Sequence, residues 1–399
     1  MVEWKKGRLK MNITFPERLK TFESGIFAIL NDKKNELLAQ GRTVYKMSVG
    51  TPEFKPEKHI MEAVAEAALK PENYGYSIAD LPELLNAFSM HYQRRFGVQL
   101  SHSEITSLYG SQEGMAHIAL ALCEPGDVVL VPNPGYPVFS AGPFLCGADV
   151  QTYDLRPENH FLIDFDSIPK ELAKKAKFMI VSYPLNPVCV AAPDSFYEEL
   201  IAFAQKNNII ILHDNAYSDI IYTGRPGRSF LSFDGAREVG VEFYSLSKSY
   251  NYTGARMSFA VGNEAIVQKF KSVRSQIDYG IFYPVQYGAI AALTGPQDSV
   301  ARQCEEYNRR NHALSEGLTS IGWNVPLSEG TMFSWAPIPE KFTSSGDFVL
   351  QLMEKSGMII TPGSAFGSLG EGFVRFALVL PPEKIAEAVQ AVDESGILK

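Results

Sequence analysis

Along the middle of the chain, apolar residues gather in short β-branched runs. Between these runs they recur every three or four positions. Val128–Val131, Phe178–Ser182, Ile209–Leu212, Val241–Tyr244 and Met257–Val261 are mostly apolar and read as strands buried on both faces. Ser195–Lys206 and Asn263–Ser275 carry the helical period. Such alternation predicts an α/β fold whose mostly parallel sheet is covered by helices. Towards the C-terminus the rhythm changes. A helical stretch at Gln303–Ser320 is followed by an apolar run at Met332–Ala336 and a helical one at Asp347–Lys355. Short runs at Met358–Thr361 and Phe373–Leu378 then precede a last helix from Pro382. This predicts a large domain over 51–290 and a smaller α+β domain built from 1–50 and 291–399.

Composition narrows the class. The 399 residues carry 37 Lys plus Arg against 45 Asp plus Glu, a net charge of −8, which gives no basic footprint for nucleic acid. No apolar run reaches the roughly 20 residues of a membrane-spanning helix. The first residues, MVEWKKGRLKMNITF, lack the apolar core of a signal peptide. Cys123, Cys146, Cys189 and Cys304 are scattered without a CxxC pair, the usage of a reducing compartment. The expectation is a soluble cytoplasmic protein of enzyme size.

Several chemistries lack their anchor. No GxGxxG follows a strand, and neither GxxxxGK[ST] nor GxSxG occurs, which argues against dinucleotide, P-loop and α/β-hydrolase sites. The histidines show no metal-ligand spacing. His213 and Asp214 are neighbours, but adjacent strand residues face opposite sides. Polar residues at strand ends remain, where parallel sheets bind ligands: Tyr183 to Pro187, His213 to Tyr217 and Ser245 to Lys248. Taken singly, each is equally readable as an ordinary loop with a cap or a solvated charge.

Together these stretches resemble a known family. EFYSLSKSYNYTGARMSFAVGN at Glu242–Asn263 is similar to the lysine loop of class I aminotransferases, the pyridoxal-phosphate (PLP) enzymes of fold type I. The likeness extends through SVGTPEF (Ser48–Phe54), LPELLNAF (Leu81–Phe88), CEPGDVVLVPNPGYPVF (Cys123–Phe139), SYPLNP, HDNAYSDIIY, EGTMFSW (Glu329–Trp335), TPGSAFG and GFVRFALV. Its flavour is the branch of aspartate, alanine and LL-diaminopimelate aminotransferases. The resemblance implies a seven-stranded, mostly parallel sheet and a homodimer with shared sites.

Roles follow residue by residue from this likeness. Lys248 matches the lysine that forms a Schiff base with the cofactor aldehyde and then shuttles the substrate proton. Asp214 matches the carboxylate that keeps the cofactor's ring nitrogen protonated. Asn186 and Tyr217 match the partners of its phenolic oxygen. Gly110, Ser111 and Gln112, ahead of an apolar helix at Met115–Leu122, with Ser245 and Arg256, match the phosphate contacts. Tyr136 matches the ring stacked on the pyridine. Arg375 matches the arginine that grips the substrate α-carboxylate, and Gly50 the glycine whose backbone approaches it. Tyr76, with Tyr74 a near rival, matches the tyrosine given to the partner's phosphate, supported by DYGIF at Asp278–Phe282.

Three departures stand out: Asn186-Pro187-Val188-Cys189 replaces NPTG, Gly254-Ala255-Arg256 replaces GWR, and near Asp80 the usual glycine is absent. None removes a reacting group. The expected activity is transfer of an amino group between an L-amino acid and a 2-oxo acid by a ping-pong mechanism. A PLP-dependent β-lyase acting on cysteine S-conjugates is the alternative on the same residues. A sensory domain of helix-turn-helix regulators is disfavoured by how few residues precede the first matching segment. The apolar stretch Phe22–Leu30, which closes over substrate in relatives, leans against strict aspartate specificity.

Overall fold

The computed structural model describes residues 13–22 and 26–399. Part of the Phe22–Leu30 stretch therefore lies outside the described residues. The strands in chain order begin with β1 (Tyr45–Lys46), β2 (Ile105–Leu108), β3 (Val128–Asn133) and β4 (Asp149–Asp154). They continue with β5 (Ala176–Ser182), β6 (Ile210–Asn215), β7 (Gly240–Ser245) and β8 (Ser258–Gly262). The C-terminal part supplies β9 (Phe333–Pro337), β10 (Met358–Ile359), β11 (Thr361–Pro362) and β12 (Phe373–Ala377).

Seven strands form one sheet in the order β2-β8-β7-β6-β5-β3-β4. All neighbours are parallel except β8, which runs antiparallel to both β7 and β2. Every residue of β2, β7 and β8 is buried, as expected for strands covered on both sides. The apolar runs at β3, β5, β6, β7 and β8 fall where the pattern predicts. The pattern misses the two edge strands: ITSL in β2 is short, and DVQTYD in β4 lies partly exposed and so carries polar residues. The predicted helix at Met115–Leu122 is two pieces, Ser111–His117 and Ala119–Leu122. Met358–Thr361 likewise divides into β10 and β11.

Helices fill the connections. Asp194–Asn207 links β5 to β6, and its end is turned by Asn208 in the left-handed region. Glu264–Arg274 follows β8, started by the Asn263 side chain accepting from the Ile266 N–H in an ordinary cap. A second sheet of order β11-β12-β9 is antiparallel. β1 pairs in parallel with β10, tying the N-terminal segment to the C-terminal part. The long helix Asp298–Ser320 packs along Pro382–Glu394.

Strand direction places the site. The carboxyl ends of β2, β3, β5, β6 and β7 point to one edge of the sheet. Because β8 runs the other way, its amino end lies at that same edge. The residues just past Leu108, Asn133, Ser182, Asn215 and Ser245, and just before Ser258, are therefore gathered there.

Candidate active site

A cavity of about 740 Å³ opens at this edge. Lys248, Asp214, Asn186, Tyr217, Arg375 and Gly50 line it. So do Ser111, Gln112, Tyr136, Ser245 and Arg256. Of the sequence-predicted residues, Gly110 lies directly behind this wall, against Arg256. Tyr76 is not in the lining; 77% of it is exposed, on the outer surface, where its ring meets that of Tyr279.

Lys248 sits in the single turn Leu246–Ser249 that follows β7, and its Nζ donates to the Gly50 carbonyl at 2.8 Å. Burial, with Arg375 and Arg256 nearby, lowers its pKa to about 8. Asp214 ends β6 with its Oδ1 buried and without a hydrogen-bond partner. Burial pushes its carboxyl up to about 7, against the pull of His213 and the Ala216 N–H. A carboxylate in that state awaits a donor or a cation. His213 faces the other side of the strand, as alternation requires. There its Nδ1 meets Glu242 at 2.9 Å.

Arg375 comes from β12 and is buried. It donates to Asn186 Oδ1 at 2.7 Å and to the Ser48 carbonyl at 3.0 Å, while its Nε has no partner. Burial lowers its pKa to about 10. The rings of Phe333 and Phe366 lie 4.1 and 4.6 Å from the guanidinium carbon, holding the cation by its faces. These two rings, and the Ser48 carbonyl, are contributions that sequence reasoning missed. The segments EGTMFSW and TPGSAFG were visible, but nothing in them shows that two loops flank one arginine.

On the far side, Gly110 has φ +91, and a Cβ there would overlap the Arg256 guanidinium. Only glycine lets that side chain lie across the turn. The Ser111 hydroxyl is buried and unpartnered. The Ser245 hydroxyl accepts from the Ser247 N–H at 3.1 Å. The Tyr136 hydroxyl donates to Gln112 at 3.1 Å, and burial raises its pKa. Tyr217 is buried against Phe333, with its pKa also raised by burial. Two of the three departures pack away from these groups. Cys189 takes the left-handed conformation, with its thiol against the Pro187 carbonyl and Thr331. Asp80 accepts from the Ser107 N–H at 3.0 Å.

A lysine and a carboxylate at the ends of adjacent strands in such a sheet, facing an arginine from a second sheet, define a fold type I transferase. The chain belongs to the aminotransferase class I and II family, whose model matches residues 42–392. It is therefore an aminotransferase of a PLP-dependent family. Among similar proteins, the LL-diaminopimelate aminotransferase of Dehalococcoides mccartyi (strain 195) is 40% identical over 375 residues, 94% of this chain and 96% of the relative. That of Aquifex aeolicus is 41% identical over 381 residues, 95% and 98% of the two chains. The solved structure of substrate-bound BacF from Bacillus subtilis superposes with a TM-score of 0.91 at 33% identity, covering 96% and 98%.

The site suits the family's cofactor. An orphaned buried acceptor at Asp214, an orphaned hydroxyl at Ser111 and a positive charge at Arg256 match a ring N–H at one end and a phosphate at the other.

Proposed function

We propose that the protein transfers the amino group of an L-amino acid to a 2-oxo acid by a ping-pong mechanism, with Lys248 as the Schiff-base lysine and proton shuttle. The observation that carries this reading is the pairing, in one cavity, of a lysine lowered to about 8 and a carboxylate raised to about 7 with an unpartnered oxygen. PLP, when bound, supplies an electron sink for the charge left at the substrate Cα. Lys248 Nζ takes the Cα proton and passes it on, a task suited to an amine neutral near working pH. Asp214 Oδ1, buried and unpartnered, would accept from a protonated ring nitrogen and favour its charge. Asn186 and Tyr217 would hydrogen-bond the ring's phenolic oxygen, and Tyr136 would lie against the ring.

Gly110, Ser111, Gln112, Ser245 and Arg256 would hold the phosphate. Arg375, whose Nε has no partner, would take the substrate α-carboxylate beside the Gly50 backbone. One Arg375 serves both substrates, so amino acid and oxo acid must occupy it in turn, with the cofactor carrying the amino group between the two half-reactions. The β-lyase alternative draws no support from the sequence relatives above, which are named aminotransferases. Their name makes LL-diaminopimelate the first donor to assay. Phe22, Val49 and Phe144 in the cavity wall make neutral amino acids the second.

We read the active form as a homodimer in which Tyr76 reaches the partner's phosphate site. Its exposure, beside exposed Tyr74, Ile78 and Tyr279, supports this, since a contiguous aromatic surface on one face marks an interface. The division into 51–290, and 1–50 with 291–399, is supported by the separate spans of the two sheets and by β1 pairing with β10. A cytoplasmic setting suits four free cysteines. The decisive test is Lys248→Ala, which should abolish turnover and the visible band of lysine-linked cofactor while leaving the melting temperature of the cofactor-free protein within a few degrees. Wild-type transamination by that variant would sink the assignment.

A further inference from the structure

Lys248 and the Asp214–Tyr217 run lie on separate loops, at the ends of adjacent strands β7 and β6. A single carboxylate outside the cavity lining ties the two loops together. Asp219, two residues past Tyr217, has a side chain only 7% exposed. Its Oδ2 accepts from the Ser249 hydroxyl at 2.6 Å and from the Tyr244 hydroxyl at 3.0 Å. Its Oδ1 accepts from Arg95 Nε at 2.9 Å. Arg95 also donates to the carbonyls of Ser218 at 3.1 Å and Gly227 at 3.2 Å, so the anchor is itself fixed. Burial opposes ionisation of Asp219, but Arg95, the Ser249 hydroxyl and His91 outweigh it and hold the carboxyl below its usual range.

Ser249 is the residue after Lys248 and closes the same helical turn. On the other side of that turn, Gln303 Nε2 donates to the Lys248 carbonyl at 2.6 Å. The lysine backbone is thus clamped from two directions, by Gln303 on its carbonyl and by Asp219 through its neighbour. We propose that Asp219 is a positioning residue for transamination, acting through Ser249 to fix Lys248 relative to Asp214 and Tyr217. The need is geometric: Lys248 must reach both a cofactor carbon and the substrate proton, and a displacement of about 1 Å in such a constellation costs roughly 100-fold in rate. Asp219 spans the joint between the two loops.

This inference rests on Lys248 being the reacting lysine, and its test separates the two. Ser249→Ala breaks only the link to the lysine turn, because Asp219 stays paired with Arg95 and Tyr244. In the PLP-loaded enzyme it should lower kcat by about 10-fold or more with the amino-acid KM within twofold. It should also alter the visible band of the bound cofactor and slow PLP capture by the cofactor-free protein, without lowering the melting temperature by more than a few degrees. Asp219→Asn should reproduce these effects, and the double variant should be no worse than Asp219→Asn, since both changes cut one path. If Asp219→Asn fails to fold, Ser249→Ala decides alone. A Ser249→Ala enzyme within threefold of wild-type kcat, with unchanged band and capture rate, overturns the proposal. So does a double variant whose losses multiply. Activity in Lys248→Ala would instead overturn the assignment beneath it.

Discussion

Asp214 binds its proton more tightly in the fold than in the unfolded chain, since its carboxyl rises from 3.8 to about 7. The stability linked to it is full below the unfolded value and is lost progressively as pH climbs from about 4 through 7. In the cofactor-free protein, Asp214→Asn should therefore be more stable than wild type at pH 8, by less at pH 5, and similar only below about pH 4. The gap at pH 8 reaches about 4 kcal/mol if the whole shift is expressed. Equal melting curves at pH 8 would mean that the oxygen is solvated. Gly110 gives a second residue-scale test. Gly110→Ala combines a strained φ of +91 with overlap on Arg256, so PLP affinity should fall by at least about 10-fold while kcat at saturating PLP changes far less. Titration of cofactor-free protein with PLP measures both. At this scale the sequence was legible where a motif carries one role per residue, as at Lys248 and Asp214. It was silent on Phe333 and Phe366, because a cation held between two rings requires three distant segments to meet.

Between elements, the back of the sheet is held by a charge that the motif reading passed over. Glu242 in β7 is fully buried and accepts from Tyr92 at 2.6 Å, His213 at 2.9 Å, Ser229 at 2.7 Å and the Phe230 N–H at 2.7 Å. Burial opposes its charge, but these donors hold the carboxyl below its usual range. Glu242 joins β7, β6, the helix Pro82–Phe96 and the Ser229 loop. Glu242→Gln should destabilise by about 3–5 kcal/mol, as breaking one side of a buried charged network does, seen as a lower urea midpoint. A loss under about 1 kcal/mol would show that the network contributes little. Glu242 was quoted in the sequence motif, yet its partners lie 12 to 150 residues away, so no local pattern could mark it. The strands themselves were legible because burial on both faces demands mostly apolar runs. The edge strands β2 and β4 were not, being short or half-exposed.

For the whole molecule, the question is what covers the exposed rings of Tyr74, Tyr76 and Tyr279. If a second copy does, and Tyr76 completes its phosphate site, sedimentation at assay concentrations should show a dimer. Mixing inactive Lys248→Ala with a variant carrying Tyr76→Phe and a second defect across the interface should restore activity after re-association. At most about half of the wild-type activity per site is expected, because one of two sites recovers every group. A fully active monomer would leave Tyr76 an ordinary surface residue.

Periodicity and composition alone determined the α/β class, because buried strands and amphipathic helices write their burial into adjacent residues. The family's motifs determined which lysine, carboxylate and arginine to look for, because each must keep its chemical group whatever surrounds it. Only the tertiary structure decided that β8 runs backwards and so brings Arg256 to the edge where Gly110 and Ser245 end their strands. It alone decided that Arg375 crosses from the second sheet to Asn186. Nor could the sequence assign Asp219 to the turn beside Lys248. Those facts depend on strand order and long-range packing, which join residues that no sequence spacing relates.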